Sequence, residues 1–200
     1  MRTIYLLRHG EIKSDGIRRF LGQTDARLSP RGIDQARMWR DTFSETGFDG
    51  IYTSDLSRCA DTARIISEGS GNDVSLLPEL REIHLGKLEG LPMEEVRNRF
   101  RHEWEARGKN IANYIPEGGE SFSDLQKRVV PVIQDVSNRH EGNVLIVTHA
   151  GVNRVILCHI LGMPLENLFR IDQAYGCLNL IKSFGDFFRI YGINLAGLPG

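Results

Sequence analysis

The chain has 200 residues, a formal net charge of −1, and a composition that is 40% hydrophobic and 26% charged. That length accommodates one domain with a full core, so a single domain over residues 1–200 is expected. The balanced charge excludes a general attraction to nucleic acid or to an anionic membrane, and no apolar stretch has the length of a membrane span or the layout of a signal peptide, so a cytoplasmic protein is expected.

Ile4-Tyr5-Leu6-Leu7 is a short apolar run with β-branched and aromatic members, which reads as a buried strand. It ends abruptly in Arg8-His9-Gly10-Glu11. A cation and an imidazole at the carboxyl end of a strand occupy the place where open α/β sheets form their binding crevices. Residues 12–28 are too polar and irregular for a regular element, and a loop of that length in a compact domain is usually functional. Ser29 followed by Pro30 starts a helix, with Ile33, Ala36 and Phe43 on one face and Gly47 as its stop. Asp49 to Thr53 is a second strand. Ser54 is read as the cap of the next helix, whose apolar stripe is Leu56, Cys59, Ala60, Ala63 and Ile66 and whose first turn carries Arg58.

Val74 to Leu77 gives a third strand closed by Pro78, and a turn-rich segment follows that carries Glu82 and His84. Pro92 to Arg107 reads as a charged helix in two pieces, and Gly108 to Gly119 as loop. Ser121 with Asp124 forms a capping box before the stripe Leu125, Val129, Val132 and Val136, which Pro131 should kink. Asn143 to Thr148 is the most strand-like run and also ends in a histidine, His149. Val152, Val155, Ile156 and Ile160 make a core-facing helix ended by Gly162. Two further strands, Cys177 to Ile181 and Phe187 to Ile193, are read as a hairpin around Gly185-Asp186.

Alternating strands and helices point to a three-layer α/β/α sandwich, α/β in class, whose crossovers gather the strands' carboxyl ends on one edge. Arg8, His9, Arg58 and His149 would meet there. Two guanidinium groups match phosphoryl oxygens in pairs and stay charged at any useful pH. Neighbouring arginines disfavour imidazolium, so His9 is expected to be neutral and nucleophilic. Glu82 is the best placed acid for protonating a leaving alkoxide and for activating water, with ordinary pairing to Arg81 or Lys87 as its structural alternative. There is neither a P-loop nor a carboxylate cluster to hold Mg²⁺, so no metal and no cofactor is expected.

The remaining candidates carry less. Cys59, Cys158 and Cys177 are an odd number without CxxC spacing, and buried thiols are expected, Cys59 in the core. His159 reads as packed on the helix stripe, and His102 and His140 as surface residues. Trp104, Arg107, Lys109 and Tyr114 read as anchors of a solvated helix, although a nucleotide-like substrate could stack on Trp104 or Tyr114. Arg18, Arg19 and Arg27 either steer anions or simply solvate a loop.

Leu7-Arg8-His9-Gly10-Glu11, together with Thr53-Ser54-Asp55-Leu56-Ser57-Arg58, Leu80-Arg81-Glu82, Leu88-Glu89-Gly90 and Thr148-His149-Ala150-Gly151, resembles the histidine phosphatase superfamily, the phosphoglycerate mutase-like fold. The resemblance runs from Thr3 to about Asn194. It implies a mostly parallel but mixed sheet of about six strands, with His9 forming a phosphohistidine, Arg8, Arg58 and His149 holding the phosphoryl group, and Glu82 donating the proton. It implies further phosphate or substrate contacts from Asp15, Gln23, Thr24 and Ala150. Two positions depart from the family pattern. Ile12 replaces a hydroxyl residue, and Asp15 stands where an asparagine often touches the phosphate, so an ionised Asp15 would repel phosphate.

The segment between Glu82 and His149 looks shorter than in true phosphoglycerate mutases, which favours hydrolysis over return of the phosphoryl group. Phe20 to Asp25 and Gln173 to Leu180 look most like the α-ribazole phosphatase branch. The expected activity is a metal-independent phosphomonoesterase acting on a small phosphorylated metabolite, with α-ribazole 5′-phosphate as candidate. A phosphoglycerate mutase-type isomerase and a non-catalytic phosphate-binding module are the alternatives. The oligomeric state stays open, a homodimer included.

Overall fold

The computed structural model describes residues 2–185 and 187–198. Six strands form one sheet: β1 (Arg2–Arg8), β2 (Phe48–Thr53), β3 (Val74–Leu76), β4 (Asn143–Thr148), β5 (Leu178–Phe184) and β6 (Phe187–Leu195), in the order β3-β2-β4-β1-β5-β6. The pairings β3–β2, β2–β4 and β4–β1 are parallel, whereas β1–β5 and β5–β6 are antiparallel. The sheet is therefore mixed and mostly parallel, as expected.

Side-chain alternation along the strands divides the core in two. Ile4, Leu6, Val144, Ile146 and Ile181 face one side. Leu7, Leu145, Val147, Ile51 and Leu178 face the other. The first side is covered by α5 (Phe122–Arg139) and α6 (Ala150–Leu161), and the second by α1 (Pro30–Thr42) and α2 (Ser57–Ser67). Ile4, Leu6, Leu145 and Ile146 are inaccessible to solvent, and burying each such side chain stabilises the fold by about 1.5–3 kcal/mol. The α/β/α layering of the sequence reading is the one observed.

Local signals account for most element boundaries. The Ser29 hydroxyl accepts from Gly32 N–H and Pro30 opens α1, but the helix ends at Thr42, well before Gly47. Its buried face centres on Ala36 and Trp39, with Ile33 only half-buried. The Ser121–Asp124 capping box starts α5, and Gly162 ends α6 in the left-handed region at φ +62°. α5 continues through Pro131, which is exposed, and Ile133 takes the buried position while Val132 is only half-buried. The charged segment does form two pieces, α3 (Met93–Arg99) and α4 (Arg101–Lys109). Of the expected hairpin turn, Gly185 has φ +72° and Asp186 lies outside the described residues.

Two expectations need correction. Ser54 does not cap α2. The helix is preceded by Leu56 with no side-chain cap of its own, and Asp25 reaches across to accept from the Ser57 N–H at 2.9 Å. His159 is exposed, because it sits in the last turn of α6, where Ile160 is also only half-buried.

Candidate active site

Parallel β1, β2 and β4 end together, and the antiparallel β5 begins beside them. Arg8 N–H donates to the Cys177 carbonyl at 2.9 Å and Gly176 N–H to the His9 carbonyl at 3.0 Å. Four segments thus bring Arg8, His9, Arg58, His149, Gln173 and Tyr175 to one edge of the sheet.

His9 is only 3% exposed. Its Nδ1 lies 2.8 Å from the Gly10 carbonyl, which can only accept, so the ring proton is on Nδ1 and the lone pair is on Nε2. Burial, then Arg8, then Arg58 hold its pKa well below the ordinary imidazole value. The ring is therefore neutral, with its free nitrogen available for attack.

His149 is fully buried, 5.3 Å from His9 between ring centroids. Arg58 Nε donates to its Nδ1 at 3.2 Å, which leaves Nε2–H to donate to the Ser54 hydroxyl at 2.8 Å. Both nitrogens are engaged, and His149 orients Arg58. Its pKa is also held well below the usual value, by burial first and then by Arg58. Cys59 Sγ packs 3.4 Å from Nε2, and burial pushes its thiol up to about 12, so it stays protonated core.

Arg58 is 1% exposed. Besides His149 it donates from Nη1 to the Thr24 carbonyl and from Nη2 to the Gly22 carbonyl, each at 2.8 Å. Three of its five N–H groups are thus spent on fixing its plane, and one on each terminal nitrogen is left over. Arg8 donates from Nη1 to the Gln173 carbonyl and lies 3.8 Å over the Tyr175 ring. Its Nε is buried and has no hydrogen-bond partner among the described residues. An unspent buried donor of this kind costs free energy until an acceptor arrives.

Glu82 accepts from the Gly151 N–H at 3.0 Å and from the Ile83 N–H at 3.0 Å. Its backbone carbonyl takes the Gln23 amide at 3.1 Å, and Arg128 clasps the neighbouring Arg81 carbonyl at 3.0 Å. The structural alternative is not what is seen, since Arg81 pairs with Asp55 and Lys87 with Glu103 and Glu117.

The expected substrate contacts divide. Thr24 serves Arg58 through its carbonyl and Gln23 braces Glu82, whereas Ala150 opens α6, so its N–H has no acceptor within the helix. Asp15, with its side chain 53% exposed, is held by Arg19 at 2.7 Å and by the Ile17 N–H, and those contacts keep its carboxyl ionised. Trp104 packs edge-on to Phe20 against the core, as an anchor does. His140 is half-buried and 2.7 Å from the Tyr52 hydroxyl, so it is not a free surface residue.

Sequence reasoning missed the site roles of Ser54 and Tyr175. It also missed a buried amide chain under the site. Asn153 donates to Gln173 at 2.9 Å, Gln173 and Asn179 exchange bonds at 2.8 Å, and Asn179 donates to the Leu6 carbonyl. Among the described residues no group of three or more His, Cys, Asp or Glu is placed to hold a metal ion, and no helix is long and apolar enough to cross a membrane.

Comparison with known proteins bears on the family and the fold. The adenosylcobalamin/alpha-ribazole phosphatase of Escherichia coli K12 is 31% identical over 183 residues, covering 89% of this chain and 88% of that protein. A probable phosphoglycerate mutase of Serratia proteamaculans is 36% identical over 171 residues, covering 82% of this chain and 77% of its own. The crystal structure of the alpha-ribazole phosphatase from Shigella flexneri superposes with a TM-score of 0.90 at 27% identity, covering 99% of this chain and 98% of that one. The family model of the histidine phosphatase superfamily (branch 1) matches residues 4–196, and the chain belongs to that superfamily.

Proposed function

We propose that the protein is a phosphomonoesterase that works through a phosphohistidine on His9, without a metal, as a single domain in the cytoplasm. The observation that carries this reading is the buried Nε of Arg8, which has no hydrogen-bond partner among the described residues, at a site where the His9 Nε2 keeps its lone pair. A phosphoryl oxygen is the acceptor such a donor lacks.

In this reading Arg8 and the spare N–H groups of Arg58 bind the equatorial phosphoryl oxygens, while His149 holds the Arg58 plane and the Ala150 N–H adds a donor. The His9 Nε2 lone pair forms the N–P bond as the ester P–O bond breaks, and the Glu82 carboxyl gives its proton to the departing alkoxide. Glu82, now ionised, then takes a proton from water as its oxygen attacks phosphorus. The N–P electron pair returns to His9 and inorganic phosphate leaves. Asp15, engaged by Arg19, takes no part.

The three buried thiols fit a reducing cytoplasm. The α-ribazole phosphatases among the relatives make α-ribazole 5′-phosphate one substrate to test, and the phosphoglycerate mutase among them makes isomerisation the rival. The test is phosphate release from a panel of α-ribazole 5′-phosphate, sugar phosphates and phosphoglycerates, run beside an assay of 2-/3-phosphoglycerate interconversion. Release faster than interconversion is expected. Interconversion without release overturns hydrolysis, and neither activity leaves the binding module.

A further inference from the structure

One sequence motif, Leu88-Glu89-Gly90, has no part in the chemistry described so far. The Glu89 side chain is only 18% exposed. Among the described residues no Lys or Arg nitrogen lies within 4.0 Å of its carboxylate, and the His84 ring is just at that distance. Its oxygens are spent on the chain instead. Oε1 accepts from the Gln23 N–H at 2.9 Å and from the Leu85 N–H at 3.0 Å, and Oε2 from the Thr24 hydroxyl at 3.4 Å. A carboxylate withdrawn from water ordinarily sits beside its counter-charge. Here the counter-charge is one peptide group away.

The Gln23 N–H and the Gly22 carbonyl belong to the same peptide. In a trans peptide the two point in opposite directions, and no cis bond occurs among the described residues. On its far side that carbonyl accepts from Arg58 Nη2 at 2.8 Å. Carboxylate, peptide and guanidinium are therefore joined in series, and each hydrogen bond polarises the next. Thr24, whose hydroxyl meets Oε2, takes Arg58 Nη1 on its own carbonyl. Residue 22 must be glycine for this contact, because its φ is +52° and a Cβ there would collide with the Glu89 carboxylate. We propose that Glu89 is a positioning residue for Arg58, fixing the turn at 22–24 so that its two carbonyls hold the guanidinium plane ready for the phosphoryl group. This rests on Arg58 binding that group, as proposed above. Gln23 also braces the Glu82 backbone, so the rival is that Glu89 acts on the acid.

Calorimetry with inorganic phosphate on the full chain reads the effect without turnover. Glu89→Ala should weaken phosphate binding by about tenfold, the scale of one lost charge-assisted hydrogen bond. Glu89→Gln keeps an acceptor at Oε1 and should recover most of the affinity. In an Arg58→Met background Glu89→Ala should cost nothing further, whereas a fold merely loosened by the substitution would lose affinity in both backgrounds. Should Arg58→Met not fold, turnover decides. Glu89→Ala should slow alkyl phosphates and p-nitrophenyl phosphate by equal factors, because Arg58 serves the phosphoryl group and not the leaving group. Four results overturn the positioning role: unchanged affinity in Glu89→Ala, a Gln variant as weak as the Ala variant, a further loss in the Arg58→Met background, or a loss confined to alkyl phosphates. A wild type that neither binds nor releases phosphate overturns the proposed function itself, and with it this role.

Discussion

Gly151 N–H donates to Glu82 Oε2 at 3.0 Å, and a Cβ on Gly151 would stand 2.3 Å from Glu82 Oε1. The carboxylate therefore sits against bare backbone, and any side chain at 151 must push it away. Glu82→Gln should cost about a hundredfold in kcat on alkyl phosphates and far less on p-nitrophenyl phosphate, whose phenolate leaves without a proton. Gly151→Ala should reproduce the same leaving-group dependence. Equal losses on both substrates would remove Glu82 from the role of acid.

His9→Ala should lower turnover by about a thousandfold or more while phosphate still binds, since Arg8 and Arg58 are untouched. Rapid denaturation of the wild type during turnover should trap an acid-labile phosphoryl label on His9, read by mass spectrometry of the peptide. A label elsewhere, or undiminished hydrolysis by the variant, would mean another nucleophile.

Acid should destabilise the fold through two histidines. His9 and His149 are both held neutral by burial and by the nearby arginines, whereas the unfolded chain protonates them near the ordinary value of 6.5. The unfolded state then binds more protons, so stability is level above that pH and falls below it, by up to about 1.4 kcal/mol per pH unit for each histidine. Urea unfolding from pH 7 down to pH 5 measures the slope, and His9→Asn should remove one histidine's share. A slope unchanged in that variant would contradict the assignment.

Gln173→Leu should destabilise the protein by about 1–3 kcal/mol, because the Asn153 amide loses its buried acceptor. For a chain of this size that corresponds to a fall of several degrees in Tm, measurable by calorimetry. The Arg8 contact runs through the Gln173 backbone carbonyl, so a loss of phosphate affinity beyond the loss of stability would mean that the loop itself has moved.

Arg8, His9, Arg58 and His149 were legible because parallel strands bring their carboxyl ends to one edge, where Arg8 ends β1, His9 and His149 follow β1 and β4 directly, and Arg58 lies in the first turn of the helix after β2. Tyr175 and Gln173 were not, because β5 runs antiparallel to β1 and delivers its amino end to the same edge. Ser54 follows Thr53 directly, but a hydroxyl before a helix reads as a cap, and nothing local says that His149 takes it instead. For His159 the helical stripe gave the face correctly. It could not say how far along α6 the covering layer extends. Asp15 was placed at the site by likeness alone, and the sequence reading did not pair it with Arg19, four residues on, which holds it in the structure.

The central position of β1 has a cost during synthesis. Its two neighbours in the sheet begin only at Asn143 and Leu178. Until the ribosome has released those segments, Ile4, Leu6 and Leu7 have no ladder to join, and such distant pairings make for slow folding and exposed apolar strands. The half-made polypeptide should accordingly be a chaperone client, acquiring the surroundings of His9 only after most of the message has been read.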